Sequence, residues 1–173
     1  MRQELASEPS LAGSLRQPAP PLLLAPLVTP PLSPEHAAGM DLILEGFLLH
    51  HGRPRHLDLP ERGPRVLAGD YCYANGLVRV ADAGDLFVIE ALSDLISLGA
   101  GLAARGERSS LAPLWRATAA AIAASAGGGP TPENAARFLA AKAALRVGGD
   151  AGPLTELAAS LPPTPELDAA FAT

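Results

Sequence analysis

The sequence predicts an all-α protein, a bundle of about six or seven helices. Apolar residues recur at three- and four-residue steps in the long segments after residue 33, and the strict alternation typical of strands is found nowhere. Several segments begin at Ser or Thr followed by Pro and end at Gly, as helices do. Only 4% of the residues are aromatic, so Ala and Leu must supply most of the core.

Residues 1–33 are predicted to be a poorly ordered leader that precedes a helical domain over residues 34–173. Seven prolines fall in this leader, and proline removes a backbone donor and interrupts helices. We therefore expect extended or polyproline II structure. Two alternatives are docking of the leucines at 22–24 on the body of the protein and a role as a Pro-rich ligand for a partner domain.

The first long helix is predicted to begin at Ser33-Pro34 and to stop at Gly52. Serine suits the N-cap, and proline suits the first helical position because its missing N–H is unpaired there anyway. A charged, proline-containing linker follows. The residues expected on the inward face of the helix are Met40, Ile43, Leu44, Phe47 and Leu48.

A helical hairpin over about residues 65–105 is predicted to form the core of the fold. Its two periodic segments meet at residues 82–85, where Gly84 suits a helix C′ position and Asp85 an N-cap. Cys72 lies on the apolar face, and we interpret it as a small buried side chain. Glu90 and Asp94 stand one turn apart and either share a cation or belong to a solvated face.

Three further helices and a short final segment complete the chain. Ser109 or Ser110 is predicted to cap a helix that ends at Gly127-Gly128-Gly129, and Thr131-Pro132 opens a helix that ends at Gly148-Gly149. A short helix then precedes Pro162-Pro163, and Thr164-Pro165 opens the last residues.

Composition excludes several classes of function. A net charge of -5 argues against binding to nucleic acid through bulk electrostatics, and a single cysteine excludes an intrachain disulfide. The first residues lack the apolar region of a signal peptide, and the apolar run at 21–28 is too short and too rich in proline to span a membrane. We therefore expect a cytoplasmic protein; twelve arginines against one lysine suggest a GC-rich, bacterial genome.

Three stretches resemble the trans-polyprenyl diphosphate synthase (polyprenyl synthetase) family. They are LAGDYCYANGL at 67–77 followed by GDL and SDLISL, DLILEGFLLHH at 41–51, and the segment at 137–160 that contains Lys142. The resemblance covers about residues 34–160 and implies part of the isoprenoid synthase fold. It also implies that Lys142 stands where the family has a lysine that contacts substrate diphosphate.

Both aspartate-rich motifs of that family are missing. The resemblance places the carboxylates of DDxxD at His51, Gly52 and Arg55, and no Asp-Asp pair occurs in the chain. DDxxD carboxylates hold Mg²⁺, which binds the allylic diphosphate. We therefore predict no metal site, no cofactor and no catalytic residues, with Mg²⁺ relevant only if an atypical site is active.

The candidate diphosphate ligands are Lys142, Arg53 and Arg55. Arg62 and Arg65 lie close to the two arginines in sequence, and guanidinium groups bind phosphate without metal. The alternatives are a solvated loop paired with Asp58 and Glu61, and a solvent-facing lysine on an Ala-rich helix. His50, His51 and Asp58 are a less favoured metal site, because adjacent histidines point about 100° apart on a helix.

The sequence leads to one preferred function and two alternatives. The preferred one is a non-catalytic partner subunit in prenyl diphosphate synthesis, either a homodimer or a heteromer with a full-length prenyl diphosphate synthase. The family includes heteromeric synthases in which one subunit lacks the aspartate-rich motifs. The alternatives are an active prenyltransferase with an atypical diphosphate site and a helical protein-interaction module that has lost the pathway.

Overall fold

A computed structural model describes residues 1–81, 86–127 and 131–172, without the side chain of Pro132. Among these residues there are ten α-helices and no strand, so the predicted all-α helical bundle is confirmed. The helices are α1 (Arg2–Ser7), α2 (Pro9–Ala12), α3 (Ala25–Val28), α4 (Pro34–His51), α5 (Arg62–Ala81), α6 (Leu86–Arg105), α7 (Leu111–Ala126), α8 (Pro132–Gly148), α9 (Gly152–Ala159) and α10 (Pro165–Phe171).

The chain divides into two compact units between α5 and α6. The first contains Met1–Pro26 and Ser33–Gly84, and the second contains Leu27–Leu32 and Asp85–Thr173. The predicted hairpin is therefore not the core of the fold, because α5 packs mainly on α4 in the first unit and α6 packs on α7 in the second. The predicted turn at Gly84 and Asp85 lies outside the described residues.

Helix α4 forms the centre of the first unit. Every residue from Ala37 to Leu49 is buried, so the helix is covered on all sides and not only on the inward face that the sequence indicates. Ser33 caps its N-terminus by accepting a hydrogen bond from the His36 N–H, as predicted. Cys72 of α5 is also buried, in agreement with its interpretation as a small core side chain.

Glycines bring α4 and α5 into backbone contact. The pairs Gly39–Gly76 and Gly46–Gly69 recur seven residues apart on antiparallel helices. A Cβ atom added to Gly76 would lie 2.7 Å from the Gly39 carbonyl oxygen and 2.5 Å from Ile43 Cγ1. One added to Gly46 would lie 3.0 Å from the Gly69 oxygen. A side chain at Gly39, Gly46 or Gly76 would meet a backbone carbonyl oxygen of the facing helix, which cannot move aside as a flexible side chain can, so glycine is required for this separation.

The leader differs from its prediction, because it contains three short helices, α1, α2 and α3, and its residues 1–26 belong to the same compact unit as α4. Leu5 and Leu24 are completely buried. Asp41 of α4 accepts hydrogen bonds from the backbone N–H groups of Leu23, Leu24 and Ala25 at 2.7, 3.2 and 2.7 Å. These bonds satisfy backbone donors that the prolines leave without helical partners, which is why a proline-rich segment can be ordered here.

The second unit is built around α7. Trp115 and Ile122 of α7 are completely buried, and α6, α8, α9 and α10 all pack against this helix. Ser110 stands at the N-cap of α7 without a capping hydrogen bond from its side chain, whereas Thr131 caps α8 by accepting from the Asn134 N–H. Gly149 ends α8 in the left-handed conformation (φ 71°), as the Gly148-Gly149 pair predicts. The Gly128-Gly129 stop lies outside the described residues.

Candidate anion-binding site

The C-terminal end of α4 is closed by an arginine from the next helix. The Arg65 guanidinium donates to the carbonyl oxygens of Leu49 at 3.3 Å and Gly52 at 3.0 Å. The last carbonyls of a helix have no partner within the helix, and a cation there also interacts favourably with the helix dipole. This contact brings Arg65 to the loop that contains Arg53 and Arg55.

Glu45, buried on α4, fixes the backbone of that loop. Its carboxylate accepts hydrogen bonds from the N–H groups of Arg55, His56 and Leu57 at 2.9, 2.8 and 3.0 Å. Burial raises the pKa of the Glu45 carboxyl, while the three N–H bonds act in the opposite direction. Glu45 therefore acts as a positioning residue for the loop.

The leader adds a further arginine to the same loop. The backbone N–H of Arg16 donates to the His56 carbonyl at 2.9 Å, and its guanidinium contacts Leu57 O at 3.2 Å and Asp58 Oδ1 at 2.9 Å. Asp58 therefore pairs with Arg16, and not with the arginines of residues 53–65 as the solvated-loop alternative proposes. Nothing in the local sequence indicates this contact, which joins positions about forty residues apart.

These contacts produce an open depression of about 640 Å³, here called the arginine depression. Four arginines and one aspartate line it: Arg16, Arg53, Arg55, Arg65 and Asp58. The formal charge of this wall is therefore +3. Within the part of the chain that the structure describes, Arg16 is the only one of the four in an ion pair, and Arg55 donates to the Pro21 carbonyl oxygen at 3.0 Å. The arrangement can bind an anion.

His56, which follows Arg55 in the loop, is buried and adds no charge to the depression. Burial, assisted by the positive charges of Arg55, Arg2 and the amino terminus, lowers the pKa of His56 to about 4. The imidazole is therefore neutral at pH 7. The positive potential of the site comes from guanidinium groups, which stay charged at all relevant pH values.

Lys142 lies in the second unit, whereas Arg53 and Arg55 lie in the first. Only 4% of Lys142 is exposed, so the interpretation as a solvent-facing residue is wrong. Its Nζ lies 2.6 Å from Asp94 Oδ2 and 5.1 Å from the centroid of the Phe138 ring. Arg146 pairs with the other oxygen of Asp94. Asp94 thus pairs with two cations from α8 and is not part of a solvated face.

The adjacent histidines make separate contacts. His50 Nε2 lies 3.2 Å from Asp70 Oδ1, and its ring stacks on Tyr73 with centroids 5.2 Å apart. His51 instead packs against Phe47 at 4.8 Å. Over the described ranges, no three His, Cys, Asp or Glu side chains are grouped so that they could hold a metal ion.

Helix α6 has the length and apolar composition of a membrane span, by those two criteria alone. It is the only such helix among residues 1–81, 86–127 and 131–172. About a third of its most apolar window is buried inside the protein, and Asp94, with its two cationic partners, lies on it. The core helix of a soluble protein meets the same two criteria.

Comparisons of the chain with protein-family models, with curated proteins and with solved structures found no match. The resemblance to polyprenyl diphosphate synthases therefore stays a prediction from the residues quoted above.

Proposed function

We propose that the protein is a non-catalytic, polyprenyl synthetase-like subunit that binds a diphosphate group in the arginine depression. One observation carries the proposal: the wall includes Arg53 and Arg55, in the segment where the family resemblance places DDxxD. Where the family has carboxylates, Mg²⁺ and diphosphate, this chain has guanidinium groups that bind phosphate oxygens directly.

The guanidinium groups of the wall favour an anion with several charged oxygens over an anion with a single negative charge. A guanidinium group presents parallel N–H donors that match two phosphate oxygens at once. Arg53 is exposed, and neither Arg53 nor Arg55 is in an ion pair with a carboxylate of the described residues. Arg53 is therefore available for a ligand, and Arg55 has no competing carboxylate although it donates one hydrogen bond to the Pro21 carbonyl oxygen. Asp58 is the one acidic side chain in the wall, and its pairing with Arg16 reduces its repulsion of an anion.

The proposed partner is a full-length prenyl diphosphate synthase or a second copy of this chain. Helix α5 exposes apolar side chains that a partner would cover: Leu67 is 71% and Val78 61% exposed. A large apolar patch on a protein surface is typical of an interaction site. A helical interaction module without diphosphate binding is the second candidate function, and this surface favours it equally.

Binding of diphosphate separates these two candidates. Titration calorimetry with inorganic diphosphate and with an allylic prenyl diphosphate is expected to show binding without Mg²⁺. Replacement of both Arg53 and Arg55 by Gln should weaken it by about 100-fold or more, since each charge-assisted contact is worth about 1.5–3 kcal/mol and about 1.4 kcal/mol is tenfold in affinity.

The matched control is Arg62→Gln, which removes an exposed arginine of the same region that does not line the depression. It should leave the affinity unchanged. Equal losses in the control and the double variant would show that binding is non-specific, and no binding by the wild type would leave only the interaction module.

An assay of prenyl product formation tests the proposal that the protein is non-catalytic. With Mg²⁺, isopentenyl diphosphate and an allylic diphosphate, the purified protein alone is expected to form no longer prenyl product, because the aspartate-rich motifs are missing from the sequence. Product formation that persists through stringent purification, and that the Arg53/Arg55 double variant abolishes, would instead establish an active prenyltransferase with an atypical site.

A further inference from the structure

The second unit contains a hollow of about 350 Å³ bordered by α7, α8 and α9, here called the alanine hollow. One wall consists of Ala117, Ala120, Ala121 and Ala124 of α7. Phe138 of α8, which is almost completely buried, and Leu157 of α9 contribute to the other walls. All of these residues belong to the second unit, so the hollow is independent of the arginine depression.

The hollow exists because the α7 face that borders it carries only methyl groups. Residues 117, 121 and 124 follow one another at four- and three-residue steps, which places them on one side of the helix. Protein interiors contain few voids larger than a water molecule, and apolar cavities in proteins take up apolar molecules. A volume of about 350 Å³ lies near the lower end of the range of roughly 300–1,000 Å³ found for small-molecule sites.

The rim of the hollow determines the head group of a ligand. Asn134, Arg137 and Ser160 are exposed side chains that line the hollow, and no carboxylate is among the described residues that do so. The only charge at the rim is therefore positive. An apolar body with one negative end matches both the alanine wall and this rim.

We propose that the alanine hollow binds a single-chain, monoanionic amphiphile such as a medium-chain carboxylate. The chain lies along the alanines of α7 and against Phe138, and the carboxylate lies at Arg137. The volume fits about ten to twelve non-hydrogen atoms at roughly 30 Å³ each, which corresponds to decanoate.

Three probes of equal chain length test the head group on the full chain: decanoate, decanol and decyltrimethylammonium, each below its micelle concentration. Titration calorimetry should give affinities in that order. Arg137→Gln should weaken decanoate binding by about 2- to 5-fold, as expected for an exposed ion pair, and leave decanol unchanged. Arg108→Gln is the control, since Arg108 does not line the hollow. Equal affinities for the three probes would overturn the assignment of a carboxylate ligand.

A second variant tests the location. Ala121→Leu places three more carbon atoms in the hollow and should weaken binding of decanoate and decanol alike, whereas Ala140→Leu, at an exposed position of α8, should not. If Ala121→Leu does not fold, chain length provides the same information, because tetradecanoate should bind little better than decanoate in a hollow of this size. No binding of any probe would overturn the proposal, as would an affinity that rises steadily with chain length.

Discussion

In the first unit, glycines bring α4 and α5 into backbone contact, whereas in the second unit alanines of α7 leave an open hollow. The two units also differ in whether their cations are paired with carboxylates. Exposed Arg53 and half-buried Arg55 have no carboxylate partners among the described residues, while Lys142 and Arg146 share the carboxylate of Asp94. In the first unit the small residues are structural and the arginines form the candidate binding surface. In the second unit the cations are structural and the small residues border the hollow. Neither small residues nor positive charges therefore identify a site by themselves.

The largest effect is expected from Asp94, which neutralises the buried lysine of the second unit. Asp94→Asn leaves Lys142 buried without a counter-ion and should lower the free energy of unfolding by about 3 kcal/mol. Urea denaturation measures it. Glu90→Gln, at an exposed position one turn earlier on α6, is the control and should change stability by about 0.5 kcal/mol or less.

A compensating change sharpens this test. Asp94→Asn combined with Lys142→Met removes the buried cation as well and should recover most of the lost stability. If the double variant is as unstable as Asp94→Asn alone, the loss of stability does not come from an unpaired charge on Lys142. Full stability of Asp94→Asn would show that the ion pair is exposed in solution.

The glycine contact of the first unit should give the next largest effect. Gly76→Ala places a Cβ against the Gly39 carbonyl and Ile43, and the helices must separate, at a cost of about 2–3 kcal/mol. Gly63→Ala is the control in the first turn of the same helix, where a Cβ meets nothing within 4 Å. Thermal unfolding of the two variants gives the comparison. Equal melting temperatures would contradict the backbone contact between α4 and α5.

The smallest effect at pH 7 is that of His56 in the first unit, because its imidazole contributes a difference between the folded and unfolded chains only at lower pH. His56 has a pKa of about 4 in the folded protein and an ordinary value of 6.5, so the unfolded chain binds the proton more readily between these values. Its contribution to stability is therefore complete above pH 6.5 and is lost as the pH falls through about 4. His56→Gln should therefore flatten the pH dependence of unfolding in this range, measured by urea denaturation at a series of pH values. The same slope in the variant and the wild type would contradict the assignment to His56.

Local patterns predicted local structure well in this chain. Ser33 and Thr131 cap α4 and α8, and Gly149 ends α8, because each signal depends on neighbours within a few residues. The hairpin prediction was wrong for the converse reason. It pairs α5 with α6 because both have an apolar face, whereas α5 packs mainly on α4, where facing glycines such as Gly39 and Gly76 let the two backbones approach. Apolar periodicity does not detect such a contact, because glycine has no side chain.

The candidate site was predicted only in part. Arg53 and Arg55 were chosen from their clustering, and both line the depression. Arg16 and Glu45 were missed. Arg16 reaches the site because the leader is folded, whereas its proline content predicts a poorly ordered segment. Glu45 carried a usable signal, since an acid inside an apolar helix must find hydrogen-bond donors when it is buried.

The attachment of the leader to Asp41 has a consequence for the nascent chain during synthesis. The leucines of the leader emerge from the ribosome before α4, which is the helix that later covers them. Until then the segment is an apolar stretch with no partner, the kind that pairs with other chains as β-structure. Its seven prolines oppose such pairing because each lacks an N–H donor. The residues that made the leader look disordered would then protect the nascent chain from aggregation.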